Sequence, residues 1–177
     1  ILIMYFNSMP KIYYDSAGTG NPKIVTNLMR RVGLRTKVKT NTMLFDTYDV
    51  REGETPEILA HKLYGDPELH WIVMLVNNVI DRYHDWPMST PQFNSYLIDK
   101  YVNTDSVHHY EITQTSGDTK KTIEVTDIIT YPNALIVTNY EYEQRRQDKL
   151  RQIRLLDPQY KDIFVDEYKN LMKESNI

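Results

Sequence analysis

The sequence predicts an α+β fold: a small strand–helix–helix module with an added helix, a β-hairpin, and extended N- and C-terminal arms, the second of them helical. Three observations carry this. A strand, a tight turn and two capped helices read off in order from Tyr48 to Asn78. Two alternating runs, Val107–Thr113 and Lys121–Thr126, flank a Gly-containing tip, the pattern of a hairpin. From Tyr140 onward the chain is charged and its apolar residues recur at helical spacing. The expected divisions are an extended arm over residues 1–45, the module with its added helix over 46–103, a hairpin region over 104–139 and a helical arm over 140–177.

Taken in order, Lys11–Asp15 is a short β-like run, and Ser16–Pro22, broken by Gly18 and Gly20, is a loop. Lys23–Asn41 is ambiguous. Ile24, Leu28 and Val32 stand at helical spacing, whereas Arg35–Lys39 alternates like an edge strand. Arg30, Arg31, Arg35, Lys37 and Lys39 fall here with no acid among them. Such a face either keeps an edge strand solvated and unpaired or docks an acidic partner protein. Nucleic acid ranks third, because no aromatic stacking platform is interleaved.

Met43–Val50 is rich in β-branched and aromatic residues and reads as a strand. Arg51–Thr55 turns it, with Gly53 free to take positive φ. Thr55 then Pro56 is a helix start, a hydroxyl at the N-cap and a proline behind it. Ile58, Leu59, Ala60, Leu63 and Tyr64 make the apolar face, and Gly65 ends the helix. Asp66-Pro67 repeats the device. The helix it opens, to about Asn78, is apolar nearly all round and must be buried on several sides, Trp71 included.

Val79–Pro87 is a loop in which Trp86 could pin the core or anchor a partner. Thr90-Pro91 starts a third helix with Phe93, Tyr96, Leu97 and Tyr101 inward. The hairpin carries a flexible tip at Ser116-Gly117-Asp118, and Ala134–Asn139 adds a short strand. Tyr140–Leu156 reads as a charged helix with a thin stripe of Tyr142, Leu150, Ile153, Leu156 and the stem of Lys149. Asp157-Pro158 caps a last helix with Tyr160, Ile163, Phe164, Tyr168, Leu171 and Met172 on one side. These stripes are narrow. The two helices need something else to pack on, either the rest of the domain or another subunit. Residues 1–45 and 140–177 are expected to be poorly ordered in the free subunit and to become ordered on assembly with others.

The composition fits a folded chain: 177 residues, 41% hydrophobic and 25% charged. A net charge of -3 gives no global pull towards nucleic acid or anionic membrane. With no cysteine there is no disulfide framework, thiolate metal site or thiol nucleophile. Trp71–Val76, the longest apolar run, is far short of the roughly 20 residues a membrane span needs. Ile1–Asn7 is apolar but lacks a basic leader, so no signal peptide is expected, and Met4 is a candidate translation start. Tyrosine is abundant, 14 against 4 phenylalanines, which suits half-buried faces and interfaces.

No catalytic constellation emerges. His61, His70, His84, His108 and His109 include no i, i+4 pair around a glutamate, so no zinc helix is expected. Asp81, His84 and Asp85 lie close in sequence, where the plain reading is surface hydrogen bonding and, for Asp81, a turn or cap. There is no phosphate loop and no Gly-x-Ser-x-Gly elbow. The expectation is a non-enzyme with no cofactor and no metal. The candidate interaction residues are Arg30, Arg31, Arg35, Trp86, Tyr142, Tyr160, Phe164 and Tyr168.

Tyr48, Val50, Gly53, Glu54, Thr55, Ile58, Ala60, Tyr64 and Asn77-Asn78 stand where the LysM module places its strand, turn, helix and terminal Asn-Asn. The stretch resembles that family, whose resemblance implies peptidoglycan or chitin binding. Two features depart from it. No closing strand is evident soon after Asn78, and the second helix is far more apolar than usual. Those departures, with the series Leu63-Tyr64-Gly65-Asp66-Pro67, His70-Trp71, Asn77-Asn78 and Asp85-Trp86-Pro87, resemble the LysM-like baseplate wedge subunit of T-even-like contractile-tailed bacteriophages. The start Met4–Asp15 and the tail Val137–Tyr160 are similar to that family too. The resemblance implies a virion structural protein without catalytic activity, made in the host bacterial cytoplasm and built in multiple copies into a six-fold tail baseplate. Its implied partners are other wedge proteins, among them a lysozyme-like wedge subunit and a large wedge-scaffold subunit, with neither nucleic acid nor membrane bound.

Overall fold

The computed structural model describes residues 5–114 and 122–173, so the expected tip at Ser116-Gly117-Asp118 lies outside the described residues. The chain forms two compact units: one takes the residues up to Arg82 and those from Ile153 on, and the other is Tyr83–Gln152. The second is thus an insertion in the sequence of the first. Helices and small sheets occur in both, an α+β architecture.

In the first unit, β1 (Lys11–Tyr14) and β2 (Lys23–Thr26) form an antiparallel hairpin with Ile12 opposite Val25 and Tyr13 opposite Ile24. The helical reading of Ile24, Leu28 and Val32 is therefore corrected. Strand pairing satisfies the backbone of Lys23–Thr26, whereas no apolar partner collects that stripe. Thr36–Lys39 is a single helical turn, α1, and not an edge strand. Its turn closes by Thr40 N–H donating to Thr36 C=O at 3.0 Å. Five alternating residues fit one turn of helix as well as a strand.

β3 (Phe45–Asp49) follows, then the Gly53 turn at φ 75°. Helix α2 (Pro56–Tyr64) starts as expected, with Thr55 Oγ1 accepting from Ile58 N–H at 3.4 Å, and stops at Gly65 with φ 75°. Asp66 accepts from Glu68 N–H at 2.9 Å and opens a 3₁₀ turn, Pro67–Leu69, that runs into α3 (His70–Asn77). Trp71, Ile72, Val73 and Val76 are buried, as a helix apolar all round requires.

The main correction concerns Tyr140–Leu156. The helix α5 ends at Arg151, and Gln152–Leu156 is a strand, β7, paired with β3. Gln152 and Arg154 are exposed while Ile153 and Leu155 are buried, an alternation of period two. Ile153 and Leu156 are also three apart, which is why the same residues pass for a helical stripe. Asp157 N–H donates to Leu44 C=O at 3.0 Å, so the end of β7 lies at the start of β3. No strand follows closely after Asn78, as expected, and β3 takes its partner from beyond an insertion. Helix α6 (Lys161–Lys173) then buries Val165, Tyr168 and Met172, while Ile163, expected inward, is exposed. Instead of thin stripes awaiting a partner, β7 and α6 carry six buried apolar side chains: Ile153, Leu155, Leu156, Val165, Tyr168 and Met172.

The second unit holds α4 (Thr90–Lys100), β4 (Val107–Thr113), β5 (Thr122–Val125), β6 (Leu135–Thr138) and α5 (Asn139–Arg151). Ser89, one residue before the expected cap, begins α4, its N–H donating to Gln92 Oε1 at 3.2 Å. The sheet order is β5-β4-β6, antiparallel throughout. Thr138 and Glu141 cap α5 reciprocally at 3.2 and 3.0 Å. The buried face of α5 is polar. Asn139, Glu143 and Gln147, spaced i, i+4, i+8, are its buried residues, whereas the expected Tyr142 stays exposed.

Candidate assembly surface

The β1–β2 hairpin is an exposed apolar feature. Every residue of both strands is exposed, with Tyr13 at 75%, Tyr14 at 57% and Ile24 at 61%. Consecutive apolar residues in each strand place side chains on both faces, so neither face is the polar one. The hairpin is closed locally. Asn27 N–H donates to Pro10 C=O at 2.8 Å, and the Asp15 carboxylate accepts from Gly20 N–H at 2.6 Å. That bond, with further backbone donors in the loop, holds the Asp15 carboxyl below its ordinary value. At the hairpin's base an open groove of about 880 Å³ is lined by Met9, Tyr13, Asn27, Lys169 and Met172.

The same unit holds an aromatic cluster. Tyr168 packs on Trp71 at 4.4 Å between ring centroids and stacks on Tyr5 at 5.3 Å, and Phe164 meets Trp71 at 6.0 Å. Arg30 donates from Nη2 to Leu171 C=O at 3.3 Å, placing a cation near the C-terminal end of α6, where the helix dipole favours one.

The residues singled out from the sequence therefore have different settings. Phe164 and Tyr168 join one cluster, the second buried and the first half-buried, and Arg30 reaches the same helix. Arg31 and Arg35 are exposed, and Tyr160 is half-buried. Trp86 is buried, and Tyr142 lies exposed on α5, stacked on His108 at 3.9 Å. The hairpin residues Ile12, Tyr13, Tyr14 and Ile24 carry more exposed apolar surface than most of these, and sequence reasoning passed over them. Their signal was two adjacent β-like runs, neither with a polar alternate face.

The turn that gives the module its sugar-binding look is closed by internal bonds. Glu54 is buried and accepts from Tyr48 OH at 2.8 Å, from Arg51 N–H at 3.0 Å and from the Lys62 ammonium. Burial pushes its carboxyl up, but these donors outweigh burial and hold it below the ordinary value. Among the described residues, no three His, Asp or Glu side chains gather to hold a metal. No helix among them is long and apolar enough to cross a membrane.

Comparison with known proteins gives two matches. The family model of base plate wedge protein 53 matches residues 4–127. The chain is also similar to baseplate wedge protein gp53 of Enterobacteria phage T4, with 26% identity over 146 residues, covering 73% of this chain and 74% of that protein.

Proposed function

The chain belongs to the base plate wedge protein 53 family, and on that premise we propose that it is a structural component of the tail baseplate wedge, tying neighbouring subunits together by protein–protein contacts. The role is mechanical, with no catalytic step and no cofactor. Its partners are other baseplate components. In this reading they include a lysozyme-like wedge subunit and the large wedge-scaffold subunit, repeated around a six-fold ring.

The observation that supports the contact role is the β1–β2 hairpin. A two-stranded hairpin alone in water is marginal. Here Ile12, Tyr13, Tyr14, Ile24 and Val25 face solvent from both sides. Exposed apolar surface of this kind marks an interaction site, and Tyr anchors dominate binding hot spots.

The test is reconstitution of wedge complexes from purified subunits, followed by sedimentation. Tyr13→Asp and Ile24→Asp are expected to keep the thermal melt of the free chain and to lose incorporation into the complex. Assembly of both variants at wild-type yield would sink the contact role of the hairpin. Soluble chitin oligomers are expected to give no saturable heat in calorimetry, since Glu54 and Tyr48 are already engaged with one another.

A further inference from the structure

The second unit contains a pair of adjacent histidines, His108 and His109, the first of them the ring that stacks on Tyr142. Between Val107 and His109 the β4–β6 register shifts: Val107 faces Thr138 and His109 faces Val137, so His108 is an extra residue on β4. A bulge of this kind re-aims side chains that a regular strand would send to opposite faces. The result is that His108 Nδ1 and His109 Nδ1 lie 2.8 Å apart.

Both rings are held. His108 stacks on Tyr142 with 3.9 Å between centroids and 9° between planes. His109 Nε2 lies 2.9 Å from Glu111 Oε1, and Glu111 Oε2 accepts from Arg145 Nη1 at 2.7 Å. Tyr142 and Arg145 are three apart on α5, so one helix face supplies both supports. The Glu111 carboxylate can only accept, so the neutral His109 ring carries its proton on Nε2 and leaves Nδ1 bare. The short contact between the two Nδ1 atoms is then a His108 N–H donating to His109.

We propose that His108 and His109 form a surface site for a divalent transition metal of the copper(II) or nickel(II) type, bound by the two Nδ1 atoms. Two imidazole nitrogens bound cis at right angles to one ion stand about 2.9 Å apart, and at a tetrahedral angle about 3.3 Å. The 2.8 Å separation matches the first, which is the tetragonal geometry those two ions prefer. His108 is exposed whereas the His109 side chain is 10% exposed, so an ion reaches the pair from the His108 side and its remaining positions are left to water. Entry of the ion requires both Nδ1 atoms bare. The His108 proton moves through solvent to its own Nε2, with no net gain or loss. A carboxylate on the far nitrogen of a ligating histidine is the usual outer support of a metal-bound imidazole, and Glu111 fills that place. Arg145 shares that carboxylate, which weakens the support and makes the site a modest binder.

The test is titration of the full chain with copper(II) or nickel(II) alone, read by calorimetry and, for copper, by electron paramagnetic resonance. One ion per chain is expected, with hyperfine coupling from two imidazole nitrogens. His108→Ala and His109→Ala should each weaken binding about tenfold or more. Glu111→Gln should weaken it about 10–100-fold without removing a ligand. A triple variant lacking His61, His70 and His84 should bind as the wild type does. Absence of saturable binding of either ion in the wild-type chain would overturn the proposal. So would one-to-one binding that survives His108→Ala combined with His109→Ala. Should His109→Ala fail to fold, His108→Ala, at an exposed position, decides alone.

Discussion

At the scale of single residues, several polar side chains are held by partners that only the fold brings to them. Glu143 is fully buried and accepts from Lys100 Nζ at 2.6 Å and Tyr101 OH at 2.9 Å. Removing one member of such a pair leaves the other without its partner. Lys100 is partly exposed and can turn to water, so Glu143→Ala is expected to cost about 2 kcal/mol rather than the larger figures for fully enclosed pairs, measured by urea unfolding. Burial pushes Glu143 up, yet Lys100 and Tyr101 hold its carboxyl below the ordinary value, and the same balance holds for Glu54 and, through His109 and Arg145, for Glu111. A carboxyl with a depressed folded value contributes stability above its unfolded value, near 4.3, and loses it as pH falls through the folded value. The urea midpoint is therefore expected to drop as the buffer is taken below about pH 4, with a shallower drop in Glu143→Gln. At the alkaline end Tyr64 acts in the opposite sense. Burial, with the Asp157 carboxylate nearby, pushes its hydroxyl up to about 12, and that hydroxyl donates to the Leu156 carbonyl at 3.0 Å. Its share of stability is complete below the unfolded value near 10 and lost as pH rises through about 12. Tyr64→Phe leaves that carbonyl without its donor and should cost about 1 kcal/mol by the same unfolding assay.

At the scale of elements, the Asn77-Asn78 pair shows how a short motif can hold two jobs. Asn78 takes the left-handed conformation that ends α3, at φ 56°, one that Asn tolerates better than most residues. Asn77 donates from Nδ2 to Arg154 C=O and accepts at Oδ1 from Arg154 N–H, both at 2.8 Å. Its amide thereby pairs with β7 as a neighbouring strand would. Asn77→Ala is expected to lose both bonds and to lower stability by about 1–3 kcal/mol, with faster hydrogen exchange confined to Ile153–Leu155. Unchanged exchange at Arg154 would refute this role. Asn78→Gly should be neutral in the same experiment, because glycine reaches the same φ without a side-chain clash.

At the scale of the molecule, the first unit is built from two distant parts of the chain, and β3 receives its partner β7 from beyond the insertion. A chain ending at Arg151 loses Ile153, Leu155, Leu156, Val165, Tyr168 and Met172 from the core. It is expected to show no cooperative melt of the first unit, whereas the full chain shows protected amides over residues 152–156 without any partner present. If the truncated chain melts as sharply as the full one, β7 and α6 are dispensable to the fold. The hairpin is the opposite case. Its substitutions should leave the melt alone and change only incorporation into wedge complexes, because every residue of both strands is exposed.

What could be read from the amino-acid sequence was local. The caps at Thr55 and Asp66, the stops at Gly65 and Asn78, the buried α3 and the β4–β5 pairing each depend on residues close together in the chain. Backbone sterics and N–H satisfaction act over that range. The family, too, was legible, because its motif is a run of such local signals. Tertiary structure alone decided that Gln152–Leu156 is a strand. Its apolar spacing fits a helix and a strand equally, and the choice rests on β3 being open to pairing more than a hundred residues earlier. The polar stripe Asn139, Glu143 and Gln147 became an interior face for the same kind of reason. Its partners Asn103, Lys100, Tyr101 and Met88 N–H come from a distant segment, and a buried polar group is stable only once such partners are in place.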